Sequence, residues 1–281
     1  MDPTRQAITP ELRRWIVEQA RAGQPPDGVL AAMRASGWHE DVAIAAIEQA
    51  LQDFLQEQGI AAPVPVPAPE LEGSPSVVRA GDRDVQVLLQ MALPRVVVFG
   101  ALLSAAECEQ LIELARPRLA RSQTVQQATG GSEVNAARTS RGMFFQRGEN
   151  EVVARIERRI AALLHWPLDH GEGLQVLHYG PGAEYQPHHD YFDPAQPGTP
   201  TILRRGGQRV GTVVMYLNTP ARGGGTTFPD VGLEVGAVRG NAVFFSYGRA
   251  HPVTKTLHGG APVVEGEKWV ATKWLREGVF T

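Results

Sequence analysis

A single cysteine, Cys108, stands among 281 residues. One thiol closes no disulfide and builds no zinc–thiolate site within a chain, so a disulfide scaffold and a zinc finger are excluded. Long apolar runs are missing too: no stretch reaches the roughly 18 apolar residues of a membrane span, and no membrane partner is expected. The opening MDPTRQAITPELRRW lacks the basic-then-apolar order of a secretory signal, so a reducing cytoplasm is the expected compartment. Nor is there an excess of positive charge. A formal net charge of −3 argues against a nucleic-acid partner, which needs a basic surface. What is present, 43% hydrophobic and 20% charged residues, is ordinary for a soluble globular protein with a sizeable core. The length suits one medium domain plus a small accessory one.

Residues 1–59 read as that accessory domain, a three-helix unit. Thr9-Pro10 is an N-cap and first-turn signal, followed by Leu12, Trp15 and Ile16 at helical spacing. A second helix from near Pro26 turns Val29, Leu30 and Met33 inward and stops at Ser36-Gly37, where glycine accepts the left-handed cap conformation. A third carries Ile44, Ile47, Leu51 and Phe54 on one stripe. Residues 60–76 (IAAPVPVPAPELEGSPS) alternate proline, which favours an extended, semi-rigid linker.

Residues 77–281 form the main domain. Leu93–Phe99 reads as a buried strand, and Ser104-Ala-Ala-Glu107 as a capping box opening a helix with Cys108, Leu111, Ile112 and Ala115 on its inner face. Cys108 is therefore expected in the core rather than as a nucleophile. The polar stretch Gln126–Asn135 is a candidate lid. A helix with Val152, Ile156, Ile160 and Leu163 follows, and then short strand-like segments separated by Gly and Pro: LQVLHYG, RVGTVVMYLN, GNAVFFSYG and KWVATKW. The pattern predicts an α+β fold, with helices packed on a β-sandwich or jelly roll.

The chemistry centres on Tyr185-Gln186-Pro187-His188-His189-Asp190-Tyr191. Strand periodicity puts His188 and Asp190 on one face and His189 on the other. An imidazole beside a carboxylate supplies two legs of a two-His-one-carboxylate iron site, and His258 is the candidate third. Alternation along KWVATKW places Lys268, Thr272 and Trp274 on one face. A lysine turned inward needs an anion, because an unpaired buried ammonium is costly.

Five motifs occur in order over some 190 residues: Arg138-Thr139-Ser140; Tyr179-Gly180-Pro181-Gly182-x-x-Tyr185-x-x-His188-x-Asp190; Tyr216-Leu217-Asn218; Gly223-Gly224-x-Thr226-x-Phe228-Pro229; and His258-Gly-Gly-Ala-Pro-Val-x-x-Gly266-x-Lys268-Trp269 with Trp274. The region from about 90 to 281 thereby resembles the prolyl 4-hydroxylases, in particular the bacterial type. The resemblance implies a double-stranded β-helix and an iron(II)- and 2-oxoglutarate-dependent dioxygenase of the procollagen-proline 4-dioxygenase kind. It would hydroxylate prolyl residues of a protein or peptide substrate, releasing succinate and CO2. It also implies Fe(II) on His188, Asp190 and His258, with 2-oxoglutarate anchored by Lys268 and bordered by Tyr179, Thr226, Trp274 and Tyr216. Ascorbate is an additional candidate cofactor. Arg138, His189 and Tyr191 are candidates for substrate contact. Two positions depart from the pattern: Gly225 replaces a glutamate and Ala261 a cysteine, neither of them a ligand.

Plainer readings hold elsewhere. His165, His178 and His251 default to structural roles, and Arg222-Gly-Gly-Gly-Thr226 lacks the Gly-Lys-Ser/Thr ending of a phosphate loop and reads as a tight turn. Met33 to Trp38 resembles the Met–Gly–aromatic loop of ubiquitin-associated-like folds, which makes the N-terminal helices a candidate protein-binding unit; three-helix packing alone explains the segment as well. Two rival functions remain open: the same chemistry on another side chain or a small molecule, and a non-catalytic β-helix binding or sensor module.

Overall fold

The computed structural model describes residues 6, 8–57, 64–121, 124–125, 132–133 and 139–281. Arg138 and most of the expected lid at 126–135 lie outside the described residues. The chain divides into two compact units, 1–63 and 64–281. Among the described residues no helix is long and apolar enough to cross a membrane.

The first unit contains helices Pro10–Arg21, Pro26–Ala35 and Glu40–Glu57. Thr9 caps the first, its hydroxyl accepting from the Leu12 amide at 3.3 Å. Gly37, at φ +87°, takes the chain out of the second in the left-handed region. The core joins Ile16, Val29 and Met33 to Ala43, Ala46, Ile47 and Ala50. The buried stripe of the third helix thus differs from the expected one. Small alanines carry the contact, Ile44 is left exposed, and Phe54 is half-buried under the Arg21 guanidinium.

The second unit begins with proline-rich chain that is packed against it. Val64 N–H donates to the Gly248 carbonyl and Ala68 N–H to that of Leu164, while Pro67 and Pro69 are buried. Pro67 can lie flat on the strand below because residue 211 is glycine; a Cβ there would come within 2.6 Å of the proline ring. The described part of the expected linker, 64–76, is therefore not a free spacer but part of this unit's surface.

Among the described residues two large antiparallel sheets build the unit, beside two sheets of two short strands each. The larger has nine strands, in the order Val77–Ala80, Arg83–Met91, Arg95–Gly100, Ala242–Ser246, Arg209–Tyr216, Lys268–Arg276, Leu174–Tyr179, Arg141–Phe145 and Ala120–Arg121. The smaller has four: Leu233–Val235, Thr226–Phe228, His258–Gly260 and Tyr185–His188. Helices Ala105–Ala115 and Glu151–Leu164 cover one face of the large sheet and enclose Cys108, Leu111, Ile156, Trp269 and Ala271. The capping box at Ser104 and Glu107 is complete. The other face closes on the small sheet around Tyr216, Phe228, Phe245 and Val270. The result is jelly-roll-like, and the period of two along Lys268–Arg276 sends alternate side chains into two separate cores.

Candidate metal centre

The small sheet brings the expected ligands together. His258 and His188 are direct partners across an antiparallel pair, with ring centroids 4.4 Å apart. Asp190 lies two residues past the strand that ends at His188, yet returns its carboxylate to the same place. His188 Nε2 is 3.5 Å from Asp190 Oδ1, and His258 Nε2 is 3.5 Å from Oδ2. One donor atom from each residue lies within 4.8 Å of the others.

The protonation states suit a cation. Each imidazole uses Nδ1 to donate to a backbone carbonyl, His188 to Gln186 at 2.9 Å and His258 to Thr256 at 3.0 Å. A carbonyl only accepts, so Nδ1 carries the hydrogen in each ring, and the neutral form of either keeps the Nε2 lone pair for a ligand bond. Burial holds the His258 imidazole down at about 4, against the pull of Asp190, so it is neutral near pH 7. Burial alone would raise the Asp190 carboxyl, but His258, His188 and Arg209 overcome it and keep the group well below the usual carboxylate range. Two imidazoles and one carboxylate, side by side, fit a divalent transition metal.

A cavity opens beside these three residues, walled by Leu177, Val214 and Val270 and bordered by Tyr179, Thr226 and Lys268. Lys268 stands opposite Tyr179 in the sheet, with Nζ 5.4 Å from the phenol ring centroid. It is buried, and among the described residues no carboxylate lies within 4 Å of it. Burial pulls its ammonium down to about 8, partly opposed by Glu234. Gly224, at φ +72°, lets the Arg222–Thr226 turn pass beside the lysine stem, where a Cβ would lie 3.2 Å from Lys268 Cδ. Tyr216 donates its hydroxyl hydrogen to Thr226 Oγ1 at 2.8 Å, which leaves the threonine hydrogen to donate into the cavity. Tyr216 itself stands behind that wall. Trp274 lines the cavity with an indole N–H that has no hydrogen-bond partner among the described residues.

Other candidates fall elsewhere. His189 turns from the cavity and stacks on Tyr191 at 4.6 Å; Tyr191 is buried between the sheets, and neither lines the cavity. His178 pairs with Glu267 at 2.8 Å, His251 caps a short turn at Val253, and His165 ends a helix in the left-handed region. At Gly225 a side chain would collide with the Glu234 carboxylate, so a neighbouring strand fills the space above it. Sequence reasoning missed Thr212, Tyr247, Arg209 and Glu172. Thr212 donates to Asp190 Oδ2 at 2.7 Å, and Arg209 joins the Asp190 carbonyl to Glu172. The alternation Thr212, Val214, Tyr216 put the threonine on the cavity side; nothing in the sequence pointed to its partner.

Comparison with known proteins matches residues 174–276 to the 2OG-Fe(II) oxygenase superfamily. The chain is 38% identical over 230 residues to the probable prolyl 4-hydroxylase 3 of Arabidopsis thaliana, covering 74% of this chain and 78% of that protein. Prolyl 4-hydroxylase 5 of the same plant is 41% identical over 222 residues, 71% of this chain and 74% of its own length. Among solved structures, a viral collagen prolyl hydroxylase from Paramecium bursaria Chlorella virus-1, in its 2OG complex, is 30% identical with a TM-score of 0.49, over 64% of this chain and 95% of the viral one.

Proposed function

The chain belongs to the prolyl 4-hydroxylase family of 2OG-Fe(II) oxygenases, and from that membership we propose that His188, Asp190 and His258 hold its iron while Lys268 anchors its co-substrate. It is a 2-oxoglutarate-dependent dioxygenase, and its reaction hydroxylates prolyl residues of a protein or peptide with release of succinate and CO2. The observation that carries the residue assignment is a pairing: three convergent metal donors share one cavity with a buried lysine that, among the described residues, has no carboxylate within 4 Å.

Iron(II), when bound, supplies the activation of dioxygen, with the decarboxylation of 2-oxoglutarate providing the electrons. The chain's own residues do the rest. His188 and His258 offer Nε2 because their Nδ1 atoms are occupied. Lys268 pairs with the far carboxylate of 2-oxoglutarate, an ion pair strengthened by its burial. Thr226, oriented by Tyr216, donates to the same carboxylate, and Tyr179 and Trp274 border it. Leu177, Val214 and Val270 exclude water from the reacting end.

Several finer readings belong to the proposal. The two-sheet unit is read as a double-stranded β-helix. The family type is read as bacterial on the motifs alone, since both curated relatives named above are plant proteins. The enzyme is placed in the cytoplasm, with ascorbate as an additional candidate cofactor. Arg138, His189 and Tyr191 remain candidates for substrate contact, the last two from outside the cavity wall. The three N-terminal helices, with a core of their own, are read as a ubiquitin-associated-like unit that binds a protein partner.

The test is succinate formation from 2-oxoglutarate by the anaerobically iron-loaded protein once oxygen is admitted, with and without proline-rich peptides. Peptide-stimulated turnover that disappears in His188→Ala, with folding retained, is the expected result. Turnover indifferent to every proline peptide would move the substrate to another side chain. Full activity in His188→Ala would overturn the metal assignment.

A further inference from the structure

Asp190 turns both carboxylate oxygens toward the histidines, Oδ1 at 3.5 Å from His188 Nε2 and Oδ2 at 3.5 Å from His258 Nε2. A carboxylate so placed can bind a metal through one oxygen or through both. The choice has a chemical consequence. On a six-coordinate metal, three protein donors and a chelating keto acid would fill five positions, and a second Asp190 oxygen would take the one dioxygen needs.

One of the two oxygens is already engaged. Thr212 Oγ1 donates to Asp190 Oδ2 at 2.7 Å. With its only hydrogen used there, Thr212 can only accept from Tyr247, whose hydroxyl lies 3.0 Å from the same Oγ1. The sequence of bonds therefore has one direction, from the Tyr247 hydroxyl to Thr212 to Asp190. Both side chains are buried, so water does not compete for these bonds. The backbone fixes the pair as well: Thr212 lies in Arg209–Tyr216, and the Tyr247 amide donates to the Val210 carbonyl at 3.0 Å. The other end of Asp190 is also held, since Arg209 Nη1 reaches its carbonyl at 3.4 Å while Glu172 grips the same guanidinium through two bonds.

We propose that Thr212, oriented by Tyr247, is a positioning residue that restrains Asp190 to single-oxygen coordination through Oδ1 and so keeps a metal position open for the co-substrates. The proposal rests on the metal-ligand reading above. It goes beyond that reading in stating which oxygen binds and what holds the other away.

Cobalt(II) is the probe, added anaerobically to the full-length protein and followed by its visible absorption, and 2-oxoglutarate is then titrated in. Thr212→Val keeps the shape of the side chain and removes the donor. It is expected to alter the cobalt band before any 2-oxoglutarate is present and to weaken cobalt binding by about 10–100-fold, the usual range for losing a metal ligand's supporting hydrogen bond. Thr212→Ser should restore both, and Tyr247→Phe should show the same change of band to a smaller extent. A merely structural role would lower the melting temperature and leave the band of the folded protein unchanged. A folded Thr212→Val with the parent band and parent affinity overturns the proposal. If that variant does not fold, a parent-like band in Tyr247→Phe overturns it instead. His188→Ala is the separate control: cobalt binding equal to the parent's there would overturn the ligand assignment, and this inference with it.

Discussion

Lys268 and Lys273 lie on one strand, Lys268–Arg276, and face opposite ways. Both are buried, at 4% and 2% exposure. Lys273 enters the helix-side core, where its ammonium bonds the Glu157 carboxylate and the Glu172 carbonyl. Lys268 enters the space between the sheets, where no carboxylate among the described residues comes within 4 Å. Taking an ammonium out of water costs several kcal/mol unless a partner compensates. At Lys273 the fold supplies that partner. At Lys268 the described residues supply a cavity and no such partner, and on the proposed reading the co-substrate brings the missing anion. A buried charge with its partner in place reads as structure, and one without it reads as a binding site.

The comparison breaks first if Lys273 can be removed without penalty. Lys273→Ala leaves Glu157 buried and uncompensated, and should lower unfolding free energy by about 3–5 kcal/mol. Urea denaturation followed by circular dichroism measures this. The folded fraction should bind 2-oxoglutarate as the parent does, since the two lysines share no partner. Replacing both members, Lys273→Met with Glu157→Leu, should restore most of the loss, because an apolar pair of similar volume is often neutral. A Lys273→Ala protein as stable as the parent would mean the ion pair contributes nothing.

The opposite face should behave in the opposite sense. Lys268→Ala removes the proposed anchor and should weaken 2-oxoglutarate binding by at least about 2 kcal/mol, roughly 30-fold, while leaving no carboxylate stranded. Calorimetric titration of the metal-loaded protein is the measurement. Unchanged affinity would move the co-substrate anchor elsewhere in the cavity.

How much of this was legible in the sequence depends on distance along the chain. A period of two over KWVATKW sufficed to put Lys268, Thr272 and Trp274 on one face, and all three line the cavity. Asp190 was placed by the same strand rule, although it lies just past the strand end. Cys108 was readable as core from the capping box and helical spacing alone. What escaped needed sheet register. Thr212 meets Tyr247 only because Arg209–Tyr216 pairs with Ala242–Ser246, and Lys273 meets Glu157 across 116 residues. The prolines after residue 63 escaped for another reason. Composition describes an isolated chain, and burial of Pro67 depends on Gly211, far away in sequence, having no side chain.

The smallest effect sharpens the comparison most, because it isolates what burying an unpartnered charge costs. Burial holds Lys268 at about 8 against the ordinary 10.5 of a lysine, so the folded protein releases this proton more readily than the unfolded chain. Between those values the unfolded state binds more protons, and stability rises with pH. The penalty is therefore complete below pH 8, shrinks from 8 to 10.5 and is gone above. Lys268→Met, which carries no such penalty, should be more stable than the parent at neutral pH by about 1–2 kcal/mol, and the difference should close as pH rises through that window. Urea melts of both proteins from neutral pH to beyond the upper limit decide it. A methionine variant less stable than the parent at neutral pH, or a difference indifferent to pH, would mean that Lys268 has a partner of its own.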